Sequence, residues 1–112
     1  MEFPDYILRA VALAVDEPEA ATNVADSVRE SLDYFAQMLP GRSVEVRVPP
    51  YRVVQILGGS THRRGTPPAV VEMSAETWLN LVLGKVSWQS AQESGLILAS
   101  GTGSDLSQYF QA

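Results

Sequence analysis

His62 is the one histidine among 112 residues, and so the one side chain whose ordinary pKa suits proton transfer near neutral pH. To act as a base it needs a nucleophile within hydrogen-bond reach and an acid to orient it. Ser60, Thr61 and Ser74 are the candidate hydroxyls, and none sits in a Gly-x-Ser-x-Gly elbow. Glu72 lies between Val71 and Met73 in an apolar run. A carboxylate on a covered strand face must pair, so its expected partner is Arg52 or Arg47 on a neighbouring strand. Arg63 and Arg64, beside His62, offer forked donors that suit a phosphate or carboxylate head group. The plainer alternative for that stretch is a solvated hairpin loop. Ser100-Gly101-Thr102-Gly103-Ser104 ahead of a helix could present N–H groups to an anion. It lacks the Gly-Lys-Ser/Thr ending of a P-loop, and a glycine turn with Ser104 capping the next helix explains it.

Composition narrows the chemistry further. With no Cys and a single His, the chain has no thiolate nucleophile, no disulfide framework and no cysteine or two-histidine metal motif. Its carboxylates show no calcium-loop spacing. No metal, cofactor or catalytic residue is therefore expected, and the chain reads as a non-enzyme. The formal net charge of −5 argues against a nucleic-acid partner, which requires a basic face. Charge is unevenly spread: residues 1–39 hold two Arg against eight acids, 40–71 hold five Arg against Glu45, and 72–112 hold Lys85 against four acids. The absence of Cys favours a reducing cytoplasm. Glu2 and Asp5 stand where a signal peptide would be basic, and the early apolar run Ala10 to Val15 falls far short of the roughly twenty residues of a membrane span. Transient contact with a membrane surface is compatible with this, and no oligomeric state is specified.

The elements that must position these residues follow from period and punctuation. The length fits one domain, 1–112, in three parts: N-terminal helices over 1–39, strands over 43–73, and helices with one late strand over 74–112. Phe3, Ile7, Val11 and Ala14 recur at helical spacing from Phe3 to Val15. After a break at Pro18, Thr22 or Asn23 is placed to cap a second helix running to Leu39, with Val24, Val28, Leu32, Phe35 and Leu39 as its apolar stripe. From Ser43 the period becomes two, with Val44, Val46 and Val48 on one face. Tyr51 to Leu57 is apolar on both faces apart from Arg52 and Gln55, which predicts an interior strand. Ala69 to Met73 forms the next strand. Ser74 caps a helix that Gly84 ends, a helical turn spans Ser87 to Ser94, a strand covers Leu96 to Ala99, and a last helix runs from Ser104 to Phe110. Helices, then strands, then helices with one late strand predict an α+β layering of helices on one sheet.

The stretch Gly41-Arg42-Ser43-Val44-Glu45-Val46-Arg47-Val48-Pro49-Pro50-Tyr51, followed by Arg64-Gly65-Thr66-Pro67-Pro68 and Val70-Val71-Glu72-Met73, resembles the bacterial sterol-carrier-protein-like family of actinobacteria. Thr77-Trp78-Leu79 with Gly84, then Trp88, Ala91 and Gly95, then Ala99-Ser100-Gly101 and Asp105-Leu106-Ser107, resemble the broader sterol carrier protein 2 pattern. The likeness covers about two-thirds of the chain. It departs at the tail, where Gly103-Ser104 precede Asp105 in place of a basic residue and the chain closes on Phe110-Gln111-Ala112 rather than Leu-Pro-Leu. The resemblance implies a mostly antiparallel sheet of about five strands, covered on one face by helices, with an apolar cavity between them that takes sterols, fatty acids, acyl chains or similar lipids. It implies carriage without chemistry.

The residues give a separate reason to expect a ligand space, since two Trp, three Phe and four Tyr exceed what a minimal core of this length demands. The predicted lining is Val54, Ile56, Val71 and Met73 from the sheet, Trp78, Leu81 and Val82 from the central helix, and Leu98, Leu106, Tyr109 and Phe110 from the end. For each, ordinary core packing is the alternative. His62, Arg63 and Arg64 would meet a head group. The expected partner is thus a hydrophobic small molecule. The competing expectation is a protein-interaction or regulatory module with a closed core and no ligand.

Overall fold

In the computed structural model, residues 1–19, 21–58 and 69–110 are described. Helix α1, Asp5–Asp16, starts where Pro4 is extended, and the Pro4 carbonyl accepts the Ile7 and Leu8 N–H groups at 3.0 Å each. Ile7, Val11 and Ala14 are buried one turn apart, preceded by buried Phe3. Helix α2, Ala21–Met38, begins one residue before Thr22, so Thr22 and Asn23 lie inside the helix rather than capping it. Its buried face is wider than the predicted stripe: Val28, Leu32 and Phe35 are joined there by Ser27 and Ser31, while Val24 and Leu39 are half-buried.

Gly41 connects α2 to the sheet and cannot be replaced by a residue with a side chain. A Cβ there would lie 2.0 Å from the Leu57 carbonyl carbon, because the chain is drawn in by the Leu57 N–H bond to Leu39 O at 2.9 Å and the Arg42 N–H bond to Gly58 O at 3.2 Å. Strand β1, Val44–Val48, follows, with alternate residues buried as the alternation predicts. Strands β2, Arg52–Ile56, β3, Ala69–Met73, and β4, Ile97–Ser100, complete a four-stranded sheet in the order β2-β1-β3-β4. Residues 59–68, which include the Arg-rich stretch, fall outside the described part, and within it the sheet has four strands rather than about five.

Two of the pairings are antiparallel, Val46 opposite Val54 and Val71 opposite Ala99, while β1 and β3 run parallel with Val46 opposite Val71. The expected interior position of β2 is corrected: among the described residues it is an edge strand, with Val53 exposed at 53% on the face away from the helices. Apolar residues on both sides of a strand are compatible with an edge when one side simply tolerates exposure.

Helix α3, Ala75–Leu83, is bounded by local chemistry that the sequence states outright. Ser74 Oγ accepts the Thr77 N–H at 3.1 Å. At the other end Gly84 adopts a left-handed φ of 74°, its N–H bonds Leu81 O, and the Lys85 N–H bonds Asn80 O. These paired bonds satisfy the last carbonyls of the helix. Helix α4, Trp88–Glu93, is capped by Ser87, whose Oγ accepts the Ser90 N–H at 3.0 Å. The predicted last helix is shorter and tighter than expected: a 3-10 turn over Ser107–Phe110. Asp105, not Ser104, opens it, its Oδ1 accepting the Ser107 N–H at 2.9 Å. Helix α1 packs on α2 and α3, and α2 packs over β2, so the helical layer covers one face of the sheet.

Candidate functional site

Aromatic rings from five parts of the chain converge between the sheet and the helical layer. Phe35 of α2 meets Trp78 of α3 edge-on at 5.3 Å and stacks with Phe110 of the terminal turn at 5.4 Å. Phe110 also meets Trp78 at 5.7 Å and stacks on Trp88 of α4 at 5.9 Å. Phe3, ahead of α1, adds a further ring beside Phe35 and Trp78. Such offset and edge-to-face pairs are each favourable beyond the area they bury. Trp78 and Phe110, both expected to line an apolar cavity, pack there against each other and against Phe35.

At one end of this cluster lies an open cleft of about 410 Å³. Leu8 and Phe3 from the α1 side, Leu81 and Val82 from α3, and Tyr109 and Phe110 from the terminal turn supply its apolar wall. Glu2, Asp5 and Gly84 also border it. Its size falls within the roughly 300 to 1,000 Å³ of small-molecule sites. The α1 side is tied to the terminal turn by the Met1 ammonium, which donates to the Tyr109 carbonyl at 3.4 Å. Asp105 holds the turn from its other end. Its carboxyl lies below the ordinary carboxylate range because the Ser107 N–H and then the Ser107 hydroxyl bond to its charged form.

Four predicted lining residues, Leu81, Val82, Tyr109 and Phe110, meet in this cleft. Trp78 lies behind Phe110 and is fully buried. Ile56, Val71 and Leu106 are buried core residues, and Val54 is half-buried on β2. Met73 is buried but borders a different recess, of about 340 Å³, with Pro49, Glu72, Leu96 and Leu98. The structure keeps Leu98 out of the cleft; it borders the Met73 recess instead. It pairs with Glu72 across β3 and β4 and is 65% exposed, pointing away from the helices between inward-facing Ile97 and half-buried Ala99. His62, Arg63 and Arg64, with Ser60 and Thr61, lie outside the described residues.

Glu72 has the cross-strand partner expected of it. It stands opposite Arg47 in register, with Arg47 Nη1 3.9 Å from its Oε1, while Arg47 Nε bonds Glu45. Arg52 is engaged elsewhere, donating to Asp33 of α2 at 2.8 Å. The Arg47 pairs on the uncovered sheet face, and the Arg52–Asp33 pair on the side that α2 covers, are partly exposed and contribute little stability.

Sequence reasoning missed the α1 contribution to the cleft and the polar seam behind it. Ser31 Oγ donates to the Ser27 carbonyl and accepts the Trp78 Nε1–H at 2.9 Å, and Ser27 Oγ donates to the Ala10 carbonyl at 3.0 Å. The signal was available: Ser27 and Ser31 are one turn apart on the flank of the Val28, Leu32, Phe35 stripe, and a buried hydroxyl requires a partner. The helical stripe identifies Phe35 as buried, and the structure puts it at the centre of the aromatic cluster.

Residues 20–111 match a protein-family profile described as "Bacterial SCP ortholog". The match takes in α2, the whole sheet, α3, α4 and the terminal turn, and leaves α1 outside it. No curated protein matches the chain.

Proposed function

The chain belongs to the bacterial SCP-ortholog, sterol-carrier-protein-like family, and from that premise we propose that it binds or carries a hydrophobic ligand, a sterol, fatty acid, acyl chain or similar lipid, without a reaction of its own. The observation that carries this reading is the cleft in which Leu81, Val82, Tyr109 and Phe110 present apolar surface beside Phe3 and Leu8. Apolar surface gathered in a concave site is what a water-insoluble molecule gains by leaving solvent. Leu81, Val82, Tyr109 and Phe110 are the residues assigned to the ligand, with Trp78 supporting Phe110 from behind. A chain without Cys suits a reducing, cytoplasmic setting, and no helix among the described residues is long and apolar enough to cross a membrane.

The test is binding of a fluorescent, nitrobenzoxadiazole-labelled sterol to the full chain. Val82→Arg places a charge in the cleft wall and is expected to weaken binding at least tenfold, whereas Leu98→Arg, on the uncovered sheet face, leaves it unchanged. Equal affinity in wild type and Val82→Arg overturns the assignment. The mutual packing of Phe35, Trp78, Trp88 and Phe110 favours a second reading, an interaction module with a closed core. That reading is supported if native mass spectrometry finds no co-purifying lipid and the labelled sterol does not bind.

A further inference from the structure

The face of the sheet turned away from the helices carries a pattern that the cleft does not use. In register, Val53 of β2 stands opposite Arg47 of β1, Arg47 opposite Glu72 of β3, and Glu72 opposite Leu98 of β4. With the strand order β2-β1-β3-β4, these four residues form one row across the whole sheet. The row reads apolar, positive, negative, apolar. All four reach solvent: Val53 and Leu98 are exposed, and the Arg47 and Glu72 side chains are each 40% exposed.

The central charges are only partly engaged within the chain. Arg47 Nε bonds Glu45, while Arg47 Nη1 stays 3.9 Å from Glu72 Oε1, beyond hydrogen-bond length. The guanidinium thus keeps outward donors, and Glu72 keeps acceptor capacity. Beside Glu72 lies the recess of about 340 Å³ bordered by Pro49, Leu96 and Leu98. It offers apolar surface to an arginine stem and a carboxylate to its head.

A two-fold axis running along the strands, between β1 and β3, turns this row onto itself. It lays β1 on β3 of a second copy and β2 on its β4. Arg47 then faces Glu72 of the second copy, Glu72 faces its Arg47, and Val53 and Leu98 cover each other twice. Opposite charges meet and apolar ends meet, which is the self-complementarity that an isologous interface requires. An axis along the row instead sets Arg47 on Arg47 and Glu72 on Glu72, so charge selects the first arrangement.

We propose that this face is the contact between two copies of the chain, packed sheet on sheet about the strand-parallel axis. Four strands of about five residues present roughly 300–400 Å² per copy, at most half of what a standard interface buries per partner. The dimer is therefore weak and reversible.

The test is sedimentation equilibrium of the full chain from 10 µM to 1 mM in 0.15 M NaCl. Wild type is expected to pass from the monomer mass toward twice that mass. Arg47→Glu and Glu72→Arg each set like charges against one another across the axis, and each is expected to weaken dimerisation at least tenfold. Mixing the two variants restores opposite charges at both contacts, so the mixture, like the double variant R47E/E72R, is expected to dimerise as wild type does. Leu98→Arg alters neither charge and faces Val53 of the second copy. It is also expected to weaken dimerisation at least tenfold, and it decides the outcome where circular dichroism shows a charge variant unfolded. A wild type that stays monomeric to 1 mM, a dimer unchanged by Arg47→Glu or by Leu98→Arg, or folded charge variants whose mixture does not recover, overturns the proposal.

Discussion

The aromatic cluster has two ends built on different terms. On the α2–α3 side every buried polar atom named above is answered: Ser27 reaches the Ala10 carbonyl, Ser31 reaches the Ser27 carbonyl, and the Trp78 indole reaches Ser31. On the side of α4 and the terminal turn, the Trp88 indole N–H has no acceptor among the described residues, Tyr109 and Phe110 are half-buried, and the turn that carries them is a single 3-10 turn. A satisfied polar seam fixes one packing and resists change. An unsatisfied donor beside a short turn leaves room for another partner. The closed seam thus serves as scaffold, and adaptability is concentrated where the cleft opens.

Making the closed end resemble the open one is the strongest way to break this comparison. Ser31→Ala removes the acceptor of the Trp78 indole and leaves a buried donor unpaired, so it is expected to lower unfolding stability by about 1–3 kcal/mol. A shift of the urea midpoint at constant m-value measures it. No loss of stability would mean that the seam is not what holds α2 against α3. Phe110→Ala acts at the open end. A fully buried Phe is worth roughly 1.5–3 kcal/mol, and Phe110 is only half-buried, so about 1 kcal/mol is expected. A loss as large as that from Ser31→Ala would place Phe110 in the scaffold and remove the distinction between the two ends.

What was legible in the sequence was local. Ser74, Gly84 and Ser87 mark helix ends because the bonds that cap a helix reach only three or four residues, and all three do so here. The Val44, Val46, Val48 alternation placed β1 correctly because one face is covered along its whole length. The order of strands is not local. Tyr51 to Leu57 read as interior because Val53 and Val54 point to opposite faces, and only the pairing of β1 with β3 puts β2 at the edge. The exposure of Leu98 was hidden for a related reason, since in a run of four apolar residues, Leu96 to Ala99, nothing in the alternation tells which face is covered. Half of the cleft was similarly hidden: Leu81, Val82, Tyr109 and Phe110 were in the predicted lining, but their meeting with Phe3 and Leu8 depends on how α1 packs against α3. The expected cavity was not legible from stoichiometry, because an excess of large apolar residues fits equally a hollow interior and one filled by its own rings, and the place of Phe110 among those rings depends on the turn that Asp105 opens.

That turn gives the smallest effect and the finest probe of the open end. The Asp105 carboxyl is held below the ordinary aspartate value by the Ser107 N–H and hydroxyl, so its folded pKa is below its unfolded pKa. A group depressed in this way contributes stability that is fully present above the unfolded value and is lost as pH falls through the folded one. Near neutral pH the bond is intact, and the loss begins only as acidity reaches the carboxylate range. The expected signature is local. On titration from pH 6 to pH 2, amide exchange at Ser107 and Tyr109 should accelerate, whereas the Trp78 indole resonance, on the seam, shows no change tied to Asp105. Asp105→Asn keeps an acceptor oxygen but removes the charge, and is expected to abolish that part of the pH dependence while leaving exchange at pH 6 slightly faster than in wild type. Acid-induced opening that persists unchanged in Asp105→Asn would shift the origin of the turn's stability to the Met1–Tyr109 contact on its other side.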